Sequence, residues 1–481
     1  MHRPPFFRTV AALVAAQLVL SACSVSAQPQ GLWPDPEPAM PSTPGPIVRS
    51  VPNFRAPSAT NCARPVSTRE VPGFAQGRRD ARDALASRDA RAKSAPAEGA
   101  AAPAAPSTRG EGRALADAES LHRMFPSPQP APQRRPVEPV TVGMVDDNAS
   151  FAEYLAFVAR TPVVHRPRDV RERYLLDVKD ARGRGVADAE VAVQSPSGHA
   201  MWARTDAGGR VWLHPDAFDP WRSPTYDVAV RKEGRVAWGR LARGQKSAVE
   251  VRLDAAAATW PARLDLVFLI DATGSMSDEI DKLKASLRAI VSEVSALPSR
   301  PDVCLGLVAY RDRGDAFITR THDFTNDVGG FLRQALIPLR ADGGGDYPEA
   351  MNEALHETVH RLSWRGDGAT RLVVLLADAP PHLDYGAPHY DDDMVAALGK
   401  GIKVFSVGAS GLDRQGEFIQ RQIAQYTGGK FVFLTYADAH DPSSGPGRET
   451  GHDVKNYSVD TLDRLIVRLV SEELAKLAPR G

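Results

Sequence analysis

The sequence predicts an α/β protein with a doubly wound, mostly parallel sheet in its second half, a small antiparallel β-sandwich before it, and a disordered tether at the start. Three observations predict this. After residue 262, continuous apolar runs alternate with segments in which apolar residues recur at helical spacing. Residues 168–255 contain short runs in which apolar residues occupy every second position. Twenty of the 39 prolines lie within residues 24–145. Strands that are apolar on both faces are typical of sheets covered by helices, and proline-rich segments bury too little apolar surface to fold.

Composition limits the function classes. The chain has 481 residues, 43% hydrophobic and 25% charged, as expected for two or three globular units. Lys plus Arg and Asp plus Glu both number 59, so the net charge indicates no nucleic-acid partner. Three cysteines are too few for a disulfide scaffold. We expect Cys304 to be a buried thiol in an apolar strand, whereas Cys62 in the tether is free either to react or to form a cross-link.

Residues 1–22 have the features of an export signal. Two arginines form a basic start, and the apolar core at residues 10–20 is too short to span a bilayer. The sequence Leu-Ser-Ala-Cys that ends at Cys23 resembles the processing site of bacterial lipoproteins. The resemblance implies lipid attachment to Cys23 and, with Ser24 following, a place in the cell envelope at the outer membrane of a Gram-negative bacterium. An ordinary secretory signal cut elsewhere is the alternative.

Residues 23–147 are predicted to form the disordered tether, because they show biased composition and almost no periodic apolar pattern. Order is expected to resume in a short helical connector at residues 148–167. Ser150 and Glu153 have the spacing of a capping box, and the apolar residues from Phe151 onward fall on one helical face.

Residues 168–255 are predicted to form the β-sandwich. Tyr174, Leu176 and Val178 alternate with other residues, later runs repeat this pattern, and glycine-containing turns separate the runs. The spacing resembles that of immunoglobulin-like and carboxypeptidase-regulatory-like β modules, which accompany extracellular binding and enzyme domains. The resemblance implies a spacer, and the polar residues of this segment form no constellation typical of a functional site.

Residues 262–477 are predicted to form the doubly wound sheet. Apolar runs predict strands at residues 264–270, 303–310, 372–377 and 402–407. Apolar residues at helical spacing predict helices that begin near Ile280, Met351 and Leu462. Sheets of this type bind ligands beyond the carboxyl ends of their strands, so the loops that follow the strands are the candidate site.

Oxygen-bearing side chains occur in three of these loops. Asp271, Thr273 and Ser275 follow the first strand, Asp346 lies in a glycine-rich loop, and Asp378 follows a later strand. Carboxylates and hydroxyls without thiols are the ligands that Mg²⁺, Mn²⁺ and Ca²⁺ prefer. We therefore expect a divalent-cation site at the carboxyl edge of the sheet, with Mg²⁺ as the first candidate.

The same residues resemble the metal-ion-dependent adhesion site of the von Willebrand factor type A (VWA) domain. That site uses Asp-x-Ser-x-Ser, a threonine in a second loop and an aspartate in a third. The resemblance covers about residues 262–477, and the motifs GLVAYRDRGD, GGGDYPEA and LLADAPPH resemble a branch found in α-kinase-associated and bacterial exported proteins. The resemblance implies a Rossmann-like fold and binding of a protein ligand through a divalent cation.

Two positions depart from the family pattern. Thr273 replaces the first serine and keeps its hydroxyl, whereas Gly345 stands where the family has its threonine, with Asp346 next to it. If Asp346 coordinates the ion, the site gains a negative charge and its attraction for an acidic ligand falls. A VWA fold that has lost its metal is the alternative at this site.

The functional prediction is an exported lipoprotein that binds a protein or another envelope ligand through the cation and catalyses no reaction. One alternative is a metal-dependent hydrolase of envelope polymers with Asp271, Asp346 and His382 near the ion. Another is a purely structural envelope protein that needs no metal.

Two further motifs are interpreted as incidental. His382, His389 and residues 391–393 match none of the usual zinc-ligand spacings, so we expect a polar loop there. Residues 313–315 spell the integrin-recognition tripeptide Arg-Gly-Asp, which common residues produce by coincidence.

Overall fold

The computed structural model describes residues 54, 62, 66–73, 138–255, 261–345, 347–366 and 368–477. The predicted export signal, Cys23 and most of the predicted tether lie outside these residues. In chain order the strands are β1 Thr68–Pro72, β2 Thr141–Val145, β3 Tyr174–Lys179, β4 Glu190–Gln194, β5 Ala200–Arg204, β6 Arg210–Leu213, β7 Thr225–Lys232, β8 Arg235–Ala242, β9 Val249–Arg252, β10 Arg263–Asp271, β11 Asp302–Tyr310, β12 Phe317–Thr325, β13 Ala369–Ala377, β14 Ile402–Gly408, β15 Phe431–Leu434, β16 Tyr436–Asp438, β17 Asp441–Pro446 and β18 Asp460–Thr461. The α-helices are α1 Phe151–Arg160, α2 Ile280–Ser295, α3 Val328–Phe331, α4 Met351–His356, α5 Tyr390–Lys400, α6 Arg414–Tyr426 and α7 Leu462–Ala475. Within the described part of the chain, no helix combines the length and the apolar character needed to cross a membrane.

A large mixed sheet forms the centre of the molecule, with the strand order β1-β12-β11-β10-β13-β14-β15-β2-β18. The five central strands from β11 to β15 in that order are parallel, and the outer strands run antiparallel to their neighbours. The chain passes from β10 to β11 on one side and later enters β13 on the other. The winding direction therefore reverses between β10 and β13, which is the switch point of a doubly wound sheet.

Two hydrophobic cores cover the sheet, one on each face. Leu266 and Phe268 of β10 belong to the core that contains α2 and α7, and Val267 and Leu269 belong to the core that contains α4, α5 and α6. Because both faces of β10 are buried, the strand is apolar at nearly every position. The four predicted strands correspond to β10, β11, β13 and β14, which confirms this part of the prediction.

The predicted tether, residues 23–147, contains ordered segments, so that prediction is wrong in part. β1 pairs with β12 at one edge of the sheet, and β2 pairs with both β15 and β18. Phe54 is also fixed, since the Arg371 guanidinium lies 4.4 Å from its ring centroid. Periodicity does not reveal β1, because all five of its residues are exposed. The strand joins the sheet edge through backbone pairing with β12 and through ion pairs such as Arg320 Nε with Glu70 Oε2 at 2.8 Å.

Cys62 and Cys304 form a disulfide, so the prediction of a thiol at Cys304 is wrong, and Cys62 is cross-linked, which is one of its two alternatives. Cys304 lies in β11, and the backbone of Cys62 is held near the end of β12 because Asn326 N donates a hydrogen bond to Cys62 O at 3.0 Å. Both cysteines are buried. Their separation of 242 positions hides the pairing from local sequence patterns.

The predicted connector contains one helix, α1, which begins after Ser150 as expected. The Ser150 side chain makes no capping hydrogen bond, so the predicted capping box does not form. Asp146 Oδ1 instead accepts hydrogen bonds from the backbone amides of Asn148 at 3.1 Å and Ala149 at 2.9 Å. Asp146 therefore stabilises the turn that precedes the helix.

The β module, defined here as β3 to β9, consists of a three-stranded sheet, β6-β3-β9, and a four-stranded sheet, β5-β4-β7-β8. Leu176, Val191 and Val228 from the predicted alternating runs are buried in its core. Strands β3 and β9 pair in parallel, so the module is not antiparallel throughout. Its core is continuous with the core on the α4, α5 and α6 face of the large sheet.

A buried ionic cluster joins the β module to the large sheet. Asp188 Oδ1 of the module lies 2.8 Å from Arg371 Nη1 of β13 and 2.6 Å from Arg204 Nε of β5. Burial opposes ionisation of Asp188, but the two guanidiniums outweigh it and hold the pKa of this carboxyl well below its usual range. The contact therefore depends on a charged Asp188.

Candidate metal centre

Asp271 and Asp378 meet at the switch point of the sheet. β10 ends at Asp271, β13 ends at Ala377, and the two strands pair in parallel with Ile270 opposite Leu376. Asp378 therefore follows β13 at the level where Asp271 ends β10. Doubly wound sheets bind ligands at this position because the loops on the two sides separate and leave a crevice.

The loop after β10 presents its oxygen atoms in a tight turn. Asp271 Oδ1 accepts hydrogen bonds from the Thr273 backbone amide at 3.0 Å and from Thr273 Oγ1 at 2.7 Å. The hydroxyl oxygens of Thr273 and Ser275 are 3.0 Å apart. Asp271 and Thr273 are buried, whereas Ser275 is exposed, so the turn opens to solvent at Ser275. The structure thus brings these three predicted residues together.

The glycine-rich second loop packs directly on the first. Gly274 N donates a hydrogen bond to Gly343 O at 2.9 Å. Gly344 has a φ of +77°, and a Cβ added there would lie 3.3 Å from Thr273 Cβ, so this position requires glycine. Asp346 of the same loop lies outside the described residues, and its role as a ligand stays a prediction.

Asp271 is held at the switch point next to a second carboxyl group, Asp378, that disfavours its ionisation. Burial and the neighbouring Asp378 raise the pKa of Asp271 to about 7. Burial also raises the pKa of Asp378, and the Ser275 hydroxyl opposes that rise. Within the described residues, Asp271 Oδ2 and Asp378 Oδ1 are buried without a hydrogen-bond partner. A cation satisfies such oxygens, and the oxygen-only donor set fits Mg²⁺, Mn²⁺ or Ca²⁺.

Glu349 is a third buried carboxyl group at the site, and it is not among the residues predicted from the sequence. Its Oε1 would lie 3.0 Å from a Cβ at Gly344, which places it against the second loop. Burial, and then the charges of Asp271 and Asp312, raise the pKa of Glu349 to about 10. Glu349 Oε2 is also buried without a partner among the described residues. Its place three residues after Asp346, in the same loop, was the signal that could have identified it.

The tripeptide at residues 313–315 supports the second loop. Asp315 Oδ2 accepts a hydrogen bond from Gly344 N at 2.8 Å. Arg313 Nη2 lies 2.6 Å from Glu353 Oε1 at the start of α4. Both charged residues of the tripeptide therefore have structural contacts within the fold.

His382, which the hydrolase alternative places near the ion, lies in the loop after β13. Its Nε2 is 3.3 Å from Asp312 Oδ1, and its Nδ1 is 3.2 Å from Asp384 Oδ1. Its ring stacks on Tyr385 with 3.9 Å between the centroids. The ring is thus packed within the loop, and its Nε2 and Asp312 Oδ1 are both buried without a hydrogen-bond partner among the described residues.

Residues 265–379 match the family described as "von Willebrand factor A domain". This segment is a VWA domain. It contains Asp271, Thr273, Ser275 and Asp378, so the carboxylates and hydroxyls at the switch point belong to the VWA domain.

Two curated relatives match a quarter of the chain. The putative ariadne-like RING finger protein R811 of Acanthamoeba polyphaga mimivirus is 33% identical over 123 residues, which are 25% of this chain and 11% of that protein. Alpha-protein kinase vwkA of Dictyostelium discoideum is 31% identical over 121 residues, which are 25% of this chain and 19% of the kinase. The chain thus spans only a small part of either relative.

A solved structure, the conserved hypothetical protein BatB from Bacteroides thetaiotaomicron, covers 45% of this chain and 98% of its own chain. The two are 17% identical, with a TM-score of 0.30. A similarity at this level says nothing about function.

Proposed function

We propose that the VWA domain of this protein binds a protein ligand in the cell envelope through a divalent cation, with Mg²⁺ as the first candidate. Binding without catalysis is the proposed activity. Asp271, Thr273, Ser275 and Asp378 are the proposed metal ligands among the described residues, and Asp346 is the proposed fifth. VWA domains commonly mediate metal-dependent protein binding.

The observation that carries this proposal is the pair of buried carboxylate oxygens, Asp271 Oδ2 and Asp378 Oδ1, which have no partner among the described residues. Two carboxylates this close and this buried are costly unless positive charge compensates them. The fold nevertheless holds both at the ligand edge of the sheet, next to two hydroxyls. This arrangement supports a cation site more than it supports a purely structural role.

Each residue has a distinct part in the proposed site. Asp271 and Asp378 supply negative charge from two adjacent strands, and Thr273 fixes the Asp271 carboxylate by donating two hydrogen bonds. Ser275 marks the exposed side, from which a partner approaches. When bound, the ion supplies positive charge that an acidic or neutral oxygen of the partner recognises.

The test is capture of an envelope partner by the immobilised full chain in Mg²⁺, in EDTA, and in EDTA followed by excess Mg²⁺. We expect the wild type to capture the partner in Mg²⁺, to lose it in EDTA, and to capture it again after excess Mg²⁺ is added. The Asp271→Ala variant should not capture it in any of these conditions. Asp281→Ala is the control, because its side chain is 81% exposed and lies outside the site. Capture that is indifferent to EDTA would contradict the proposal, as would Mg²⁺-dependent cleavage of envelope polymers by the same protein.

We further propose that lipid on Cys23 anchors the protein in the envelope, at the outer membrane, after removal of residues 1–22. The basic start, the short apolar core and the Leu-Ser-Ala-Cys sequence support this. The proposal makes the β module an immunoglobulin-like or regulatory-like spacer between anchor and VWA domain. Its ionic contact through Asp188 and Arg371 would then fix the orientation of the VWA domain on that spacer.

A further inference from the structure

A second group of metal-ligating side chains lies away from the switch point, where helix α4 and the π-helical turn Glu357–Arg361 pack beside α5. His356 ends α4, His360 lies in the π-helical turn, and Asp393 is in the first turn of α5. Because residues four apart share one face of a helix, the two imidazoles project to the same side. None of these three residues belongs to the VWA cation site.

The three side chains converge on one point. His356 Nδ1 lies 3.1 Å and His360 Nε2 lies 3.0 Å from the same oxygen, Asp393 Oδ1. The ring centroids of the two histidines are 4.5 Å apart, and the candidate ligand atoms all lie within 4.8 Å of one another. Zn²⁺ at about 2.0 Å from its ligands in tetrahedral geometry separates neighbouring ligand atoms by about 3.3 Å, close to the two measured distances.

The helices that carry the three residues are fixed to each other at both ends. Asn352 Oδ1 accepts a hydrogen bond from Tyr390 N at 2.8 Å at the start of α5. Lys400 Nζ donates to Val359 O at 2.6 Å at the end of α5. A metal site requires this kind of support, because ligands on mobile elements lose their geometry.

Hydrogen bonds between the histidines and Asp393 do not account for the whole cluster. Asp393 Oδ2 is buried and has no hydrogen-bond partner within the described residues, so one oxygen of this carboxylate is unsatisfied. The histidine side chains are 39% and 34% exposed, so an ion can reach the cluster from solvent. A cation bound by the two imidazoles and by both oxygens of Asp393 would satisfy Oδ2 as well as Oδ1 and leave one position open to solvent.

We propose that His356, His360 and Asp393 form a binding site for Zn²⁺ or a similar transition-metal ion, with the fourth position open to water or to a ligand from a partner. Two imidazoles and one carboxylate suit zinc, whereas Mg²⁺ prefers oxygen ligands alone. The ligand chemistry thus distinguishes this site from the one at Asp271.

The test is calorimetric titration of Zn²⁺ into the full chain without a histidine tag, in excess Mg²⁺ and in an Asp271→Ala background. Excess Mg²⁺ competes at the first site, and the Asp271→Ala background removes that site as a source of the heat. We expect one zinc ion to bind per chain. His360→Ala and Asp393→Asn should each lower the zinc affinity by more than about 10–100-fold, which is the cost of losing a residue that only supports a metal ligand. His440→Ala and Asp392→Asn are matched controls, because both residues are exposed and lie outside the cluster.

The absorbance of bound Co²⁺ provides a second measurement. If the two histidines had only a structural role, replacing either of them would not change this spectrum. The Asp271→Ala protein and both controls should give the intense visible bands of tetrahedral Co²⁺, and His356→Ala and His360→Ala should not. Circular dichroism will show that each variant is folded. Zinc binding that is equal in all variants, or absent from the Asp271→Ala protein, overturns the proposal.

Discussion

Glu473 of α7 provides a quantitative test of how the β module and the large sheet are held together. Glu473 Oε2 lies 2.8 Å from Lys403 Nζ of β14 and 2.7 Å from Lys476 Nζ. Glu473 Oε1 accepts a hydrogen bond at 3.4 Å from the backbone amide of Ala207 in the β module. Burial opposes ionisation, but the two lysines outweigh it and lower the pKa of Glu473 from 4.5 to about 2.

The magnitude follows from this pKa difference. One pKa unit corresponds to about 1.4 kcal/mol, so ionised Glu473 stabilises the fold by about 3 kcal/mol at neutral pH. Solvent screens the half-exposed Lys476, which reduces the expected effect to about 2–3 kcal/mol. Because the folded-state pKa is the lower one, the contribution is complete above the unfolded pKa of 4.5 and is lost as pH falls towards 2.

The assay is urea unfolding of the wild type and of Glu473→Gln at pH 7 and at pH 3. We expect Glu473→Gln to lower the free energy of unfolding by about 2–3 kcal/mol at pH 7 and by less than about half of that at pH 3. Glu472→Gln is the control, because its side chain is 54% exposed and lies 3.8 Å from Lys430 Nζ. A Glu473→Gln variant as stable as the control at both pH values would refute the reasoning.

Three further predictions concern the anchor, the disulfide and the second loop. Cys23→Ser should leave the protein unlipidated and release it from the membrane fraction, and unchanged fractionation with unchanged fatty-acid labelling would contradict the anchor. A non-reducing peptide map should join the peptides of Cys62 and Cys304, and Cys304→Ala should lower the free energy of unfolding by about 2–4 kcal/mol; separate peptides would show that the thiols are free. Asp346→Thr should weaken ion binding and strengthen binding of an acidic partner to the loaded site, because one fewer carboxylate surrounds the ion. Affinities for ion and partner that both stay unchanged would show that Asp346 is not a ligand.

The parts of the fold that the sequence predicted are those with a local pattern. β10, β11, β13 and β14 are apolar on both faces because helices cover both sides of the sheet, so a continuous apolar run predicts them. β1 has no such pattern, since its five residues are exposed and it is held by backbone pairing with β12 and by ion pairs with distant residues, such as Arg69 with Glu357. The Cys62–Cys304 disulfide depends on a contact between segments 242 positions apart, which local spacing does not encode.

The candidate site likewise contains residues that a local sequence pattern predicts and residues that only the tertiary packing brings together. Asp271, Thr273 and Ser275 follow a recognisable strand within five positions, so their proximity could be predicted from the sequence. Glu349 joins the site only because the second loop folds back against the first, and its burial there is a tertiary property. His356 and His360 had the right spacing for one helical face, but only the packing of α5 brings Asp393 to them.

The central claim is that Asp271 and its neighbours hold a divalent cation at the switch point. Calorimetric titration of Mg²⁺ into the wild type, Asp271→Ala and Asp281→Ala tests it most directly, because the imidazole-containing cluster at His356 does not favour Mg²⁺. The prediction is a saturable heat for the wild type and for Asp281→Ala, and none for Asp271→Ala at the same concentrations, while circular dichroism shows all three folded. Equal heats in the three proteins, or no heat in the wild type, would contradict the claim.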